Sequence, residues 1–99
     1  MRYRFADEAL TEYIAAGRYY NRQVPGLGDA LADAVEAGIA TIRATPFVGR
    51  IVEDGVRRFL VERFPYGIYC TVEDDRIVIW AVRHLRRDPD YWRERRTRG

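Results

Sequence analysis

Residues 57–84 read RRFLVERFPYGIYCTVEDDRIVIWAVRH: three runs of β-branched and aromatic residues, separated by Phe64-Pro65 and Asp74-Asp75. Two such runs joined by two residues form a hairpin. With Asp74-Asp75 at the tip, Glu73 faces Arg76, Val72 faces Ile77 and Tyr69 faces Trp80. A first turn at Phe64-Pro65 sets Arg63 opposite Tyr66 and adds a third strand. Side chains alternate across a strand, so the two faces of this meander can be assigned. One carries Phe59, Val61, Tyr66, Ile68, Cys70, Val72, Ile77, Ile79 and Ala81, with Arg57 and Arg83 towards one end. The other carries Arg58, Leu60, Glu62, Gly67, Tyr69, Thr71, Arg76, Val78, Trp80, Val82 and His84. The first face is a core; the second is mixed.

Upstream, Arg2-Tyr3-Arg4-Phe5 alternates as a short strand with Tyr3 and Phe5 turned inward. Asp7 is placed to cap a helix whose stripe is Leu10, Tyr13, Ile14, Gly17, Tyr20 and Val24, ended by Pro25-Gly26. A second helix runs from Gly28 or Asp29 to Ala44 with the stripe Leu31, Ala34, Val35, Gly38, Ile39 and Ile42, and stops at Thr45-Pro46. The short break makes the two an antiparallel pair. Residues 47–55 read as a loop with a short extended piece at Ile51-Val52. Asp88-Pro89 starts a last short helix, Asp90 to about Arg96. The order βααβββ(α) defines an α+β fold, an antiparallel sheet with the N-terminal helix pair packed on one face. Phe59, Ile68, Ile79, Leu10 and Ile42 are expected in one core.

Ninety-nine residues, 47% hydrophobic and 32% charged, fit one domain spanning 1–99. No apolar run reaches the ~18 residues of a membrane span, and MRYRFADEAL lacks the apolar region of a signal peptide. A cytoplasmic location is expected. All 17 basic side chains are arginine, which excludes any lysine chemistry. Residues 76–99 hold 8 arginines against 3 acids, whereas residues 1–56 hold 6 against 8. Positive charge at the C-terminal end suits an acidic partner or a phosphate backbone.

Chemistry-bearing residues are few. His84, the sole histidine, is the one side chain here of a type suited to act as acid or base at neutral pH, although a lone histidine at a strand end is commonly structural. One histidine and one cysteine assemble no zinc site, and there is no glycine-rich phosphate loop. No metal or cofactor is expected. Arg83, Arg86 and Arg87 cluster beside His84. The plain reading is solvated arginines; the functional one is a site for phosphate or an acidic partner. Tyr69, Val78, Trp80 and Val82 make the mixed face partly apolar, to be covered by Tyr91 and Trp92 of the last helix or by a partner.

Gly26-Leu27-Gly28, Pro46, Arg57-Arg58, Arg63-Phe64-Pro65-Tyr66 with Ile68 and Tyr69, Ile77 to Ala81, and His84-x-x-Arg87-Asp88-Pro89-x-Tyr91-Trp92 together resemble the RelE/ParE toxin superfamily of type II toxin–antitoxin modules. The resemblance covers nearly the whole chain. It implies a small bacterial toxin held inactive in a hetero-oligomer by a cognate antitoxin, which has a DNA-binding N-terminal domain and a C-terminal segment that wraps the toxin. RelE-like members cleave mRNA on the ribosome; ParE-like members poison DNA gyrase. The ribonucleases use basic sheet residues and an arginine in the middle strand. Here Gly67 stands at that arginine's place and lysine is absent, which favours a ParE-like toxin that binds gyrase. The alternatives are a ribosome-dependent nuclease using His84, Arg86 and Arg58, and a non-toxic interaction module of the same fold. Target-binding candidates are Arg83, His84, Arg86, Arg87, Tyr91 and Trp92. Candidates for binding an acidic, amphipathic antitoxin segment are Tyr69, Val78, Trp80, Val82 and Leu60.

Overall fold

The computed structural model describes residues 1–86. Strand β1 (Arg2–Phe5) leads into helix α1 (Asp7–Gln23), then α2 (Leu27–Ala44), β2 (Arg50–Glu53), β3 (Val56–Leu60), β4 (Tyr66–Glu73) and β5 (Arg76–His84). The five strands form one sheet in the order β1-β5-β4-β3-β2. The meander β3–β4–β5 pairs antiparallel as expected, but β1 joins β5 in parallel, so the sheet is mixed. The extended piece expected at Ile51-Val52 is a full edge strand, β2, paired antiparallel with β3. The expected helix from Asp90 to about Arg96 lies outside the described residues.

Asp7 does not cap α1. Ala6 holds that position in extended conformation, and no side chain bonds the free helical amides there. Capping across the helix pair comes from Asn21 near the end of α1: its Oδ1 accepts from Gly28 N–H at 2.7 Å, and its Nδ2 donates to Asp29 Oδ1 at 3.2 Å. Gly26 turns the chain between the helices at φ +87°, a left-handed conformation that glycine adopts without penalty.

The buried stripe of α2 is close to the expected one: Leu31, Val35, Gly38, Ile39 and Ile42 are all buried. That of α1 is rotated. Leu10 and Ile14 are 42% and 45% exposed, and Val24 is exposed as well. The face turned to the sheet holds Ala9, which is fully buried, together with Tyr13, Ala16 and Tyr20. Short alanine side chains let the helix backbone lie close over β5, and the tyrosines bridge outward. Tyr13 stacks on Phe5 at 5.8 Å and donates to Glu36 Oε2 at 2.9 Å. Burial and that carboxylate hold the Tyr13 phenol well above its usual pKa.

Cys70 is buried in the core, which pushes its thiol up to about 11, with Arg57 opposing the shift. The unfolded thiol loses its proton nearer 9.0. Between those values the unfolded chain sheds a proton that the folded chain keeps, so stability falls as pH rises, by at most ~1.4 kcal/mol per unit. Urea midpoints taken from pH 8 to pH 11 are expected to fall less steeply for Cys70→Ala than for the native sequence.

Candidate functional site

The register of β4 and β5 decides which residues share a face. Glu73 pairs with Arg76 and Val72 with Ile77, as the turn chemistry predicts, but a bulge intervenes between Tyr69 and Cys70. Cys70 pairs with Ile79 and Tyr69 with Ala81, leaving Trp80 unopposed. One extra residue exchanges the faces of everything after it. Val82 and His84, assigned above to the mixed face, therefore lie on the helix side, paired with Ile68 and Tyr66. Ala81 and Arg83, assigned to the core face, lie on the far side with Tyr69 and Gly67. The first turn also closes differently: Leu60 pairs with Gly67 and Phe59 with Ile68, a shift of two residues that preserves the faces.

The bulge is held from the helix layer. Val82 N–H donates to Glu12 Oε1 of α1 at 2.9 Å. A buried amide left without an acceptor costs ~1–3 kcal/mol, so Glu12→Ala is expected to lower stability by that amount, and Glu12→Gln, which keeps an oxygen, by much less. Thermal melts and exchange of the Val82 amide check this.

On the far side, Arg83 is buried at 4% exposure. Its guanidinium donates to Tyr69 Oη at 2.8 Å and lies 4.4 Å from that ring's centre. Trp80 Nε1–H donates to Thr71 Oγ1 at 2.8 Å, and Arg4 lies over the indole. Gly67 makes room for Arg58: a Cβ there would come within 3.1 Å of the Arg58 stem. Arg58 Nε is buried with no hydrogen-bond partner among the described residues. Arg2, Arg4, Arg50, Arg58, Arg76 and Arg83 all fall on this face by alternation. Arg2 bridges Asp75 at 2.6 Å and holds its carboxyl below the usual range. The helices carry six acids and three arginines. Arginine thus collects on the far sheet face, and acids outnumber arginines on the helices.

On the helix side, His84 meets the Tyr66 ring edge-on at 5.5 Å, and its Nδ1 accepts from Arg86 N–H at 3.1 Å. In the neutral ring the proton then sits on Nε2. The nuclease set does not assemble. Arg58 pairs with Tyr69 and His84 with Tyr66, positions three apart on one strand and hence on opposite faces.

The sequence model of the family described as ParE toxin of type II toxin-antitoxin system, parDE, matches residues 3–89. The chain belongs to the ParE toxin family. A solved structure, described as the chromosomal ParDE TA system from P. aeruginosa, shares the fold of this ParE-family chain: TM-score 0.75 at 19% identity, covering 85% of this chain and 95% of that one. No curated protein sequence matches. Among its described residues, no helix of the ParE-family chain is long and apolar enough to cross a membrane.

Of the target-binding candidates in this ParE-family chain, His84 is half-buried, Arg86 exposed and Arg83 interior; Arg87, Tyr91 and Trp92 lie outside the described residues. Of the antitoxin-binding candidates, Tyr69, Val78, Trp80 and Val82 are buried, whereas Leu60 is 53% exposed. Sequence reasoning missed Glu12, Tyr19, Tyr20 and Arg22, which line one cleft with His84. No spacing rule links α1 to the end of β5; only the register does.

Proposed function

We propose that this ParE-family chain is a toxin that acts by binding DNA gyrase in the cytoplasm, neutralised by a cognate antitoxin in a hetero-oligomer. The observation that carries the reading is the separation of His84 from Arg58 by the thickness of the sheet. Cleavage of RNA needs proton transfer and stabilisation of charge at one phosphate, and these two side chains serve different faces. A poison needs only a complementary surface. The exposed Arg86, continued by Arg87 in the sequence, supplies charge for one beside His84. The exposed rim of the far sheet face, Arg2, Arg50 and Arg76 with Leu60, supports an acidic, amphipathic antitoxin segment as the neutralising partner.

Induced expression in cells tests the reading. The His84→Ala protein is expected to remain toxic, and the double variant Arg86→Ala/Arg87→Ala to lose potency as charge complementarity falls. The DNA-damage response should be induced and cellular mRNA left intact. Codon-dependent mRNA cleavage that disappears in His84→Ala overturns the proposal in favour of the nuclease.

A further inference from the structure

On one side the sheet ends at β2, whose outer edge has no neighbouring strand among the described residues. Such an edge presents a row of unpaired N–H and C=O groups. At the opposite edge the apolar residues of β1, Tyr3 and Phe5, pack against the core. Those of β2 do not. Ile51 is 60% exposed and Val52 is exposed beside it, as are Phe47 and Val48 just before the strand. No other six described residues in a row expose as many large apolar side chains. The loop leading into this edge is pinned: Arg57 donates to the carbonyls of Phe47 and Gly49 at 3.0 and 2.8 Å, and its guanidinium lies 5.2 Å from the Phe47 ring centre. An edge already held in place needs little ordering when a strand is added to it.

The order of residues on β2, Arg50-Ile51-Val52-Glu53, selects the added strand. Residues three apart on a regular strand point to opposite faces. The bulge between Ile51 and Glu53 brings Arg50 and Glu53 to the same face instead, since they pair with Arg58 and Val56, which are two apart on β3. We infer that this edge is a self-association site, and that its occupant is β2 of a second copy of the chain, laid antiparallel across a two-fold axis between Ile51 and Val52. That register sets Arg50 opposite the partner's Glu53 on the far face and Ile51 against the partner's Val52, each twice per dimer. Arg50 stays clear of its own copy, and a strand with one arginine and one acid does not repel itself. Glu53 also interacts within its own chain; the pairing places a guanidinium near it and takes nothing away. Four residues and a bulge make a short joint, so the association is reversible and belongs at the small end of interface sizes.

Sedimentation equilibrium of the full chain over ~1–300 μM tests this. The mass should rise with concentration from one chain towards two, and amide exchange in β2 should slow in step. Ile51→Asp, on the helix side and away from the rim proposed for the antitoxin, should stay a single chain throughout. Arg50→Glu, which puts like charges opposite each other twice per dimer, should weaken association about tenfold. Val24→Asp, at a comparably exposed apolar residue just after α1, should associate as the native chain does. All three positions are exposed, and circular dichroism confirms that the variants fold. A native chain that stays single at every concentration overturns the proposal. So does a dimer that survives Ile51→Asp and is lost in Val24→Asp, which would place the joint on the helix pair. A single chain whose antitoxin binding falls in Ile51→Asp overturns it in favour of an antitoxin strand on this edge.

Discussion

Gly28→Ala should cost about 3 kcal/mol, at the upper end of the usual range for overpacked positions. A Cβ on Gly28 would stand 1.9 Å from the carbonyl oxygen of Gly17 and 2.8 Å from its carbonyl carbon. Both are backbone atoms, so no rotamer change relieves the clash and the helices must separate. The same shift would disturb the Asn21 side chain, which lies 2.7 Å from the added carbon and accepts the Gly28 amide. The partner position behaves differently. A Cβ on Gly17 meets only Gly28 O at 3.9 Å, ordinary contact. In a helix interior alanine is favoured over glycine by ~1 kcal/mol, so Gly17→Ala should be neutral or stabilising. Denaturant unfolding of the pair reads this contrast directly; equal losses at both sites would mean that the helix crossing is not set at Gly28.

Ile79→Ala should remove about 2–5 kcal/mol, a large share of a small domain's stability. Ile79 is 1% exposed and pairs with Phe5 on one side and Cys70 on the other, at the middle of the sheet and under the helix layer. Its truncation leaves a cavity that three strands would have to collapse to fill. By contrast Leu10→Ala, at a side chain 42% exposed, should cost well under half as much. A loss below ~1 kcal/mol for Ile79→Ala would place this residue on the far side of the sheet, away from the helices, since a slip of one residue exchanges the two sides.

Most of the architecture was legible because its signals are local. The alternation in residues 66–79, the Asp74-Asp75 turn, the proline and glycine breaks between helices and the stripe of α2 each specify one element. What escaped the sequence depends on pairing. The bulge at Trp80 carries no glycine or proline to announce it, yet it moves His84 to the helix side and Arg83 to the far side. On α1 the large residues Leu10 and Ile14 suggested the buried stripe, whereas close approach to β5 selected Ala9 and Ala16 instead. Charge counted along the chain showed a basic C-terminal end but not a basic sheet face, since that face collects Arg2, Arg4, Arg50 and Arg58 from three separate strands. The candidate site suffered most: Tyr69 and Trp80 looked like surface anchors and are buried, and the cleft beside His84 draws half its wall from a helix some 60 residues earlier.

The most direct test of binding against cleavage uses purified components. Gyrase supercoiling relaxed plasmid is mixed with the protein, native or His84→Ala, alongside translating ribosomes carrying a defined mRNA. Loss of supercoiling with accumulation of gyrase-linked broken DNA, equal for the two proteins, and an intact message are the predicted results. Undisturbed gyrase together with mRNA cut by the native protein and spared by His84→Ala would contradict the account.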